Sequence, residues 1–318
     1  MSTEPTPSPP ESVLAVLDDA VAHARLSHEG SVASYIPELG AVDPEMTSAA
    51  VSLPGGAVVL AGDAREHRFT LQSTAKLIVL AGTLEELGPD AVFAKVGSEP
   101  SGESFSSIAE LDARGPRPAN PLVNAGAIAL CGIVPGRLEE RIAWIERWAE
   151  RLCGTRLHVN SRVYASERRT GHRNRSIAYL LRSSGILGDP VDDTLDVYFS
   201  LCSIEADVAN AAHLAHTLAR GGVTPSGQRV LSEATASRVV ALMASCGMYD
   251  ESGTYLMRTG MPAKSGVSGV IVAVALGRAG VAVASPRLNA RGGSVRGHLI
   301  LSTLSETLGW HFARLRAG

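Results

Sequence analysis

Lysine is almost missing from this chain. Of 29 basic residues among 318, only Lys76, Lys95 and Lys264 are lysines; the rest are arginine. Arginine keeps its proton near neutral pH, whereas a desolvated lysine can release one. Lysine kept at particular places therefore points to sites that need a titratable amine, although a lysine-poor proteome would give the same usage. Cysteine is also sparse. Cys131, Cys153, Cys202 and Cys246 are widely spaced, form no CxxC pair, and read as reduced, mostly buried thiols of a cytoplasmic protein. Excess positive charge is absent: the net charge is -3, which gives no drive toward nucleic acid or an anionic membrane. A membrane helix is not expected either. The longest apolar stretch, Val270 to Ala284, is broken by Gly277, Arg278 and Gly280 and reads as a hairpin. Met1 to Pro10 lacks the basic start and apolar run of a secretory signal and, being polar and proline-rich, reads as a disordered tail. No repeat, Gly-rich phosphate loop or dinucleotide fingerprint is visible.

What is present is helix and strand signal at both ends, with helices between. The length allows one large domain or two closely joined subdomains. Apolar spacing predicts helices over Glu11–Ser27, Gln72–Leu87, Arg137–Leu152, Asn174–Ser183, Ala206–Arg220, Glu233–Ser245 and Gly297–Leu315. Gly221 and Gly247 fall where C-terminal caps belong. Ala49–Leu53 and Ala57–Ala61 flank Pro54-Gly55-Gly56 as a strand pair, and Val270–Leu276 with Val281–Ser285 forms another. One sheet assembled from the two chain ends, beside a helical lobe, is the expectation.

The sharpest local motif is Ser73-Thr74-Ala75-Lys76. At the start of a helix, Lys76 lies one turn after Ser73 on the same face, so an amine stands beside a hydroxyl. A serine is a poor nucleophile until a base accepts its proton, and burial lowers a lysine pKa enough for that role. The helix N-terminus adds N–H groups that favour developing negative charge. Alone, the pattern also fits a surface lysine beside a capping serine. Lys264-Ser265-Gly266 changes the weighing, because SxxK followed by Lys-Ser/Thr-Gly at a sheet edge belongs to penicillin-recognising serine enzymes. His213 and His216 lack a third ligand, so no metal is expected. Arg168, Arg169, Arg173, Arg175 and Arg182 read as a solvated face or subunit contact, and Trp144 and Trp148 as core or interface packing.

Further segments extend the match. They are Val32 to Leu39, Gly62-Asp63 with Phe69 to Lys76, Asn120 to Ile128, Ser166-Glu167 with Thr170, Arg173 and Asn174, and Asp196 to Cys202. Gly247 to Asp250, Pro262 to Gly269 and Ser294 to Gly297 complete them. In this order the chain resembles the bacterial-type glutaminases, related in fold to serine β-lactamases, from about Gly30 to about Ser305. The resemblance implies an α+β fold: an antiparallel sheet from both chain ends, flanked by helices, with an inserted all-helical subdomain. The sheet part would cover about 11–88 and 247–318, and the helical part about 89–246.

It also implies hydrolysis of L-glutamine to L-glutamate and ammonia, without metal or organic cofactor, in a homo-oligomer (dimer or tetramer). Ser73 matches the nucleophile and Lys76 its base. Tyr249 and Tyr35 match tyrosines at the reaction centre, either of which could relay a proton. Val267, with Ser73, matches the oxyanion amides. Gln72, Asn124, Glu167, Asn174 and Tyr198 match the groups around the substrate. Glutamine's ammonium calls for a carboxylate such as Glu167, whose other reading is a surface partner of Arg168 or Arg169. Two departures stand out: Val270 where the family has glycine, and Glu251 where a small or neutral residue is usual. The rival readings are a penicillin-binding or β-lactamase-type hydrolase and an inactive amino-acid sensor.

Overall fold

Alternation of side chains along each strand sets the layers of the molecule. The computed structural model describes residues 9–101, 117–188 and 190–314. Its helices are α1 (Pro9–Ala24), α2 (Pro37–Gly40), α3 (Lys76–Glu86), α4 (Gly88–Phe93), α5 (Asn124–Ile133), α6 (Leu138–Cys153) and α7 (Ser161–Thr170). They continue with α8 (His172–Ser183), α9 (Val191–Cys202), α10 (Val208–Ala219), α11 (Glu233–Cys246), α12 (Ser252–Thr259) and α13 (Val295–Thr307). The strands are β1 (Ser48–Ser52), β2 (Val58–Gly62), β3 (Phe69–Thr70), β4 (His158–Val159), β5 (Ile204–Ala206), β6 (Ala263–Ser265), β7 (Val270–Ala275) and β8 (Ala279–Ala284).

The main sheet runs β2-β1-β8-β7-β6, antiparallel throughout, so its strands come from residues 48–62 and 263–284. Both faces are covered. Ala49, Val51, Ile271, Ala273, Val281 and Val283 pack with residues of α1 and α13, while Ala50, Val270, Val272, Val274, Ala282 and Ala284 join the core that contains the helices between. That is why β7 and β8 read as unbroken apolar runs. Helix α10 lies directly on the sheet, and Gly280 lets it: a Cβ there would stand 2.0 Å from the His216 nitrogen. Gly277, with φ of 70°, makes the turn instead.

Several expectations are revised. Helix α1 begins at Pro9, two residues before the expected start at Glu11; residues 1–8, where the tail was expected, lie outside the described residues. The helix expected over Gln72–Leu87 is a 3-10 turn, Gln72–Ala75, leading into α3. The last helix stops at Thr307, and Leu315 lies outside the described residues. Gly247 does cap α11, its N–H donating to the Met243 carbonyl, but at an ordinary helical φ of -76°, and it is small because a Cβ would stand 1.8 Å from the Ala263 carbonyl oxygen. Helix α5, with no polar face, is almost wholly buried and so carries no amphipathic signal.

Trp144 and Trp148 are core residues. Their indole N–H groups donate to the two oxygens of Glu86 at 2.6 and 3.0 Å, and the rings close over Gly82 of α3. His216 spends its Nδ1 on the Ser52 carbonyl at 3.1 Å. Lys95 donates 2.9 Å to the Ile186 carbonyl, a structural use of the third lysine. In the arginine cluster, Arg168 pairs with Asp196 at 3.0 Å and Arg175 stacks over Phe199. No helix among the described residues is long and apolar enough to cross a membrane.

Candidate active site

Ser73 sits in the 3-10 turn that opens α3, beside the end of β3, and is buried. Its predecessor Gln72 has φ of 48°, a left-handed backbone that L side chains rarely adopt. Lys76 begins α3 and is fully buried. Its Nζ donates to the Leu122 carbonyl at 3.1 Å and to Asn124 Oδ1 at 2.7 Å. Desolvation by burial lowers its pKa from 10.5 to about 8. Asn120 shapes this contact: its Oδ1 accepts from the amides of Leu122 and Val123, which turns the Leu122 carbonyl toward the amine. Asn120 belongs to a matched segment, but spacing alone gives it no role.

The edge strand β6 forms the opposite side. Lys264, fully buried, donates to the carbonyls of Gly247 (3.0 Å) and Ser265 (2.7 Å), and its Nζ lies 4.3 Å from the centre of the Tyr249 ring. Burial, then the nearby Lys76, pushes its pKa far below the usual lysine range. Tyr249 donates to the Ser265 carbonyl at 3.3 Å and is in hydrogen-bond contact with Ser73; burial raises its pKa, and the Ser73 contact opposes the rise. Ser268 fastens the loop after β6 to the nucleophile's segment by donating 2.7 Å to the Thr70 carbonyl. Among the described residues, neither the Ser73 nor the Val267 amide N–H has a backbone acceptor.

Two positions depart from the family's pattern. Val270 is an ordinary buried β7 residue, and the left-handed conformation falls on Gly269 (φ 88°). Glu251 directs its carboxylate to Asn289 Nδ2, 3.1 Å from each oxygen.

Tyr35, Gln72, Ser73, Asn124, Glu167, Asn174, Tyr198 and Val267 line one cavity of about 370 Å³, joined by Thr170, Gly171, Arg173 and Cys202. The expected site residues thus converge, with Lys76 behind Asn124 and Tyr249 on the far side of Ser73. Glu167 closes α7 and Asn174 opens α8, with Gly171 at the break because a Cβ would meet Phe199 at 2.5 Å. Glu167 is only 6% exposed, so it is no surface partner of Arg168 or Arg169. It accepts from the Tyr35 hydroxyl at 2.8 Å, and that hydroxyl also lies 3.0 Å from Gln72 Oε1. Burial raises the Glu167 pKa, opposed by hydrogen bonds from Tyr35 and Gln72. Tyr35 is half exposed as a residue, but its hydroxyl points inward at Glu167 and Gln72, and desolvation there, then the Glu167 charge, raises its pKa well above the usual value. Asn124 Nδ2 donates 2.9 Å to Asn174 Oδ1. Cys202 lies beside Tyr198, and burial raises its thiol to about 12. Residue spacing carries no signal for this neutral cysteine or for the Lys264–Tyr249 contact, since only tertiary packing creates them.

The family model for glutaminase matches residues 30–312. The chain belongs to the glutaminase family. It is 49% identical over 299 residues to a glutaminase of Legionella pneumophila (strain Corby), covering 94% of this chain and 96% of that one. To a glutaminase of Clostridium botulinum (strain Loch Maree / Type A3) it is 42% identical over 284 residues, with coverage of 88% and 93%. Among solved structures, the probable glutaminase ybaS superposes with TM-score 0.92 at 36% identity, over 95% of this chain and 98% of that one. Mglu in its glutamate form superposes with TM-score 0.92 at 35% identity, over 98% and 71%. The fold is therefore the β-lactamase-like mixture of helices and antiparallel sheet that the resemblance implied.

Proposed function

We propose that this glutaminase-family chain hydrolyses L-glutamine to L-glutamate and ammonia, with Ser73 as nucleophile and Lys76 as its base. The observation that carries the mechanism is the hydrogen bonding of Lys76. A neutral amine has two N–H donors and one lone pair, and two fixed acceptors, Leu122 O and Asn124 Oδ1, take the two donors. The lone pair is left for the hydroxyl one turn earlier. Ser73 attacks the side-chain amide, the amides of Ser73 and Val267 receive the oxyanion, and a γ-glutamyl ester forms as ammonia leaves. Tyr249, touching Ser73, carries the proton to the departing nitrogen. Water then cleaves the ester with the same groups.

Substrate is held by the far end of the cavity. Glu167, steadied by Tyr35, takes the α-ammonium, and Asn124, Asn174 and Tyr198 surround the α-carboxylate. A relative solved in its glutamate form supports an amino-acid pocket of this kind. Four free, buried thiols suit a reducing cytoplasm, and the family resemblance supports a homo-oligomer, which light scattering would test. The decisive assay is ammonia release from L-glutamine, L-asparagine and a β-lactam. A strong preference for glutamine is expected; equal amide rates, or hydrolysis of the β-lactam alone, would overturn the reading.

A further inference from the structure

Tyr249 shares an unusual property with Gln72, the neighbour of the nucleophile. Among the described residues these are the two non-glycine positions with a left-handed backbone, φ being 54° at Tyr249. Such a conformation persists only where its surroundings hold it. Ser252 caps this backbone from one side, accepting from the Met248 amide at 3.0 Å and donating to the Tyr249 carbonyl at 2.9 Å, and a tight turn about forty residues later in the chain meets it from the other. Asn289 closes that turn on itself: its N–H donates to the Gly293 carbonyl at 2.8 Å, and its Oδ1 accepts from the amides of Arg291 (2.9 Å) and Gly293 (3.0 Å). The remaining donor, Nδ2, spans both oxygens of Glu251 at 3.1 Å. A second contact is parallel to it, Arg291 Nε lying 3.6 Å from Asp250 Oδ2.

The turn also lies alongside the tyrosine. A Cβ at Gly292 would stand 3.6 Å from the Tyr249 ring, and one at Gly293 would stand 2.9 Å from Glu251 Oε2. Two successive acidic residues of the Tyr249–Glu251 turn are thus each tied to one rigid, self-capped loop, and that loop, Tyr249 and Val267 line a common cavity of about 440 Å³. The Asn289–Glu251 contact is charge-assisted and two-pronged, which fixes direction as well as distance.

We propose that Asn289 and Glu251 are positioning residues for Tyr249: the bond between them holds the strained turn so that the phenol stays on Ser73. The proposal rests on the reading of Tyr249 as part of the reaction centre. It concerns the chemical step and not substrate capture, because the groups assigned to the amino-acid end, Glu167 and Asn174, lie on α7 and α8.

The test is steady-state glutamine hydrolysis, with thermal melting, on the full chain and four variants. Asn289→Asp keeps the Oδ1 that caps the turn but replaces the donor by a second carboxylate facing Glu251. It is expected to lower kcat about tenfold or more, since small misplacements at a reaction centre have effects of that size. KM should stay within about twofold, the signature of an interaction used in the transition state. Adding Glu251→Gln to Asn289→Asp restores a donor–acceptor pair with the roles exchanged, and most of the lost kcat should return. Glu251→Ala, which removes the acceptor without a charge clash, should show the same kcat-selective loss. Wild-type kcat in Asn289→Asp or Glu251→Ala, or an exchanged pair no faster than Asn289→Asp alone, overturns the positioning role. Tyr249→Phe separates the two layers: if it is slow while Asn289→Asp is normal, only the positioning proposal falls, and if it turns over normally, the role of Tyr249 falls with it.

Discussion

Asn124 accepts a 2.7 Å hydrogen bond from Nζ of Lys76. The same side-chain amide donates to Asn174 in the wall of the cavity, so one residue links the base to the substrate pocket. Its neutrality matters. An amide acceptor orients the buried amine without adding the negative charge that would favour the protonated form.

Asn124→Asp tests that statement. A carboxylate beside Lys76 raises its pKa, so the rising limb of kcat/KM against pH, which reports the free enzyme, should move to higher pH. A limb that stays in place would separate Lys76 from the titration that controls activity.

Lys76 itself makes a pH-dependent prediction. Below about 8 the folded-state amine is protonated and has no lone pair, so activity should rise with pH through that region and level above it. Lys76→Arg keeps the charge but cannot act as the base, and should lose at least ~10²-fold in turnover.

Stability runs with the same group. The unfolded amine titrates near 10.5 and the folded one at about 8. Between these values the unfolded chain binds more protons, so stability rises with pH. The penalty is full below about 8, where both states are protonated, and gone above about 10.5, where neither is. It amounts to ~3 kcal/mol, offset partly by the two hydrogen bonds. Lys76→Met should therefore be inactive yet ~1–3 kcal/mol more stable than the parent in urea at pH 7. That advantage should shrink by pH 10; a constant or reversed difference would contradict the depressed pKa.

Much of this was legible beforehand, for reasons that differ by element. The lysine scarcity and the SxxK and Lys-Ser-Gly pair located both buried amines, because few residue types can do that chemistry. The β7–β8 hairpin was legible because Gly277 breaks an apolar run. Helix α5 was not, since full burial erases the amphipathic period, and neither was the 3-10 turn at Gln72–Ala75, whose strained φ is imposed by tertiary contacts. Spacing alone leaves Glu167 between surface and site, because its burial comes from tertiary packing and the Tyr35 contact. The backbone around Val270 is not legible from its residue type, because the positive φ falls on Gly269.

Val270→Gly follows from that last point. Restoring the family's glycine removes a fully buried side chain from β7 and adds backbone freedom. The expected loss is about 2–4 kcal/mol of stability, with no gain in kcat. A faster enzyme would show that Val270 does distort the loop carrying Val267.

Glu167→Gln keeps the shape of the pocket and removes its charge for the α-ammonium. Losing a charged hydrogen bond in an enclosed site costs ~1.5–3 kcal/mol, or roughly 10- to 150-fold in kcat/KM. Discrimination against an analogue without the α-amine should shrink by a similar factor. Unchanged discrimination would remove Glu167 from the substrate site.

The proposed mechanism stands or falls with acylation of Ser73. The most direct measurement is peptide mass mapping of the full chain after treatment with a glutamine-like electrophile, beside ammonia release by Ser73→Ala. A single covalent adduct on Ser73 is expected, and no turnover in a variant that melts like the parent. An adduct on any other residue, or continued ammonia release from Ser73→Ala, would contradict it.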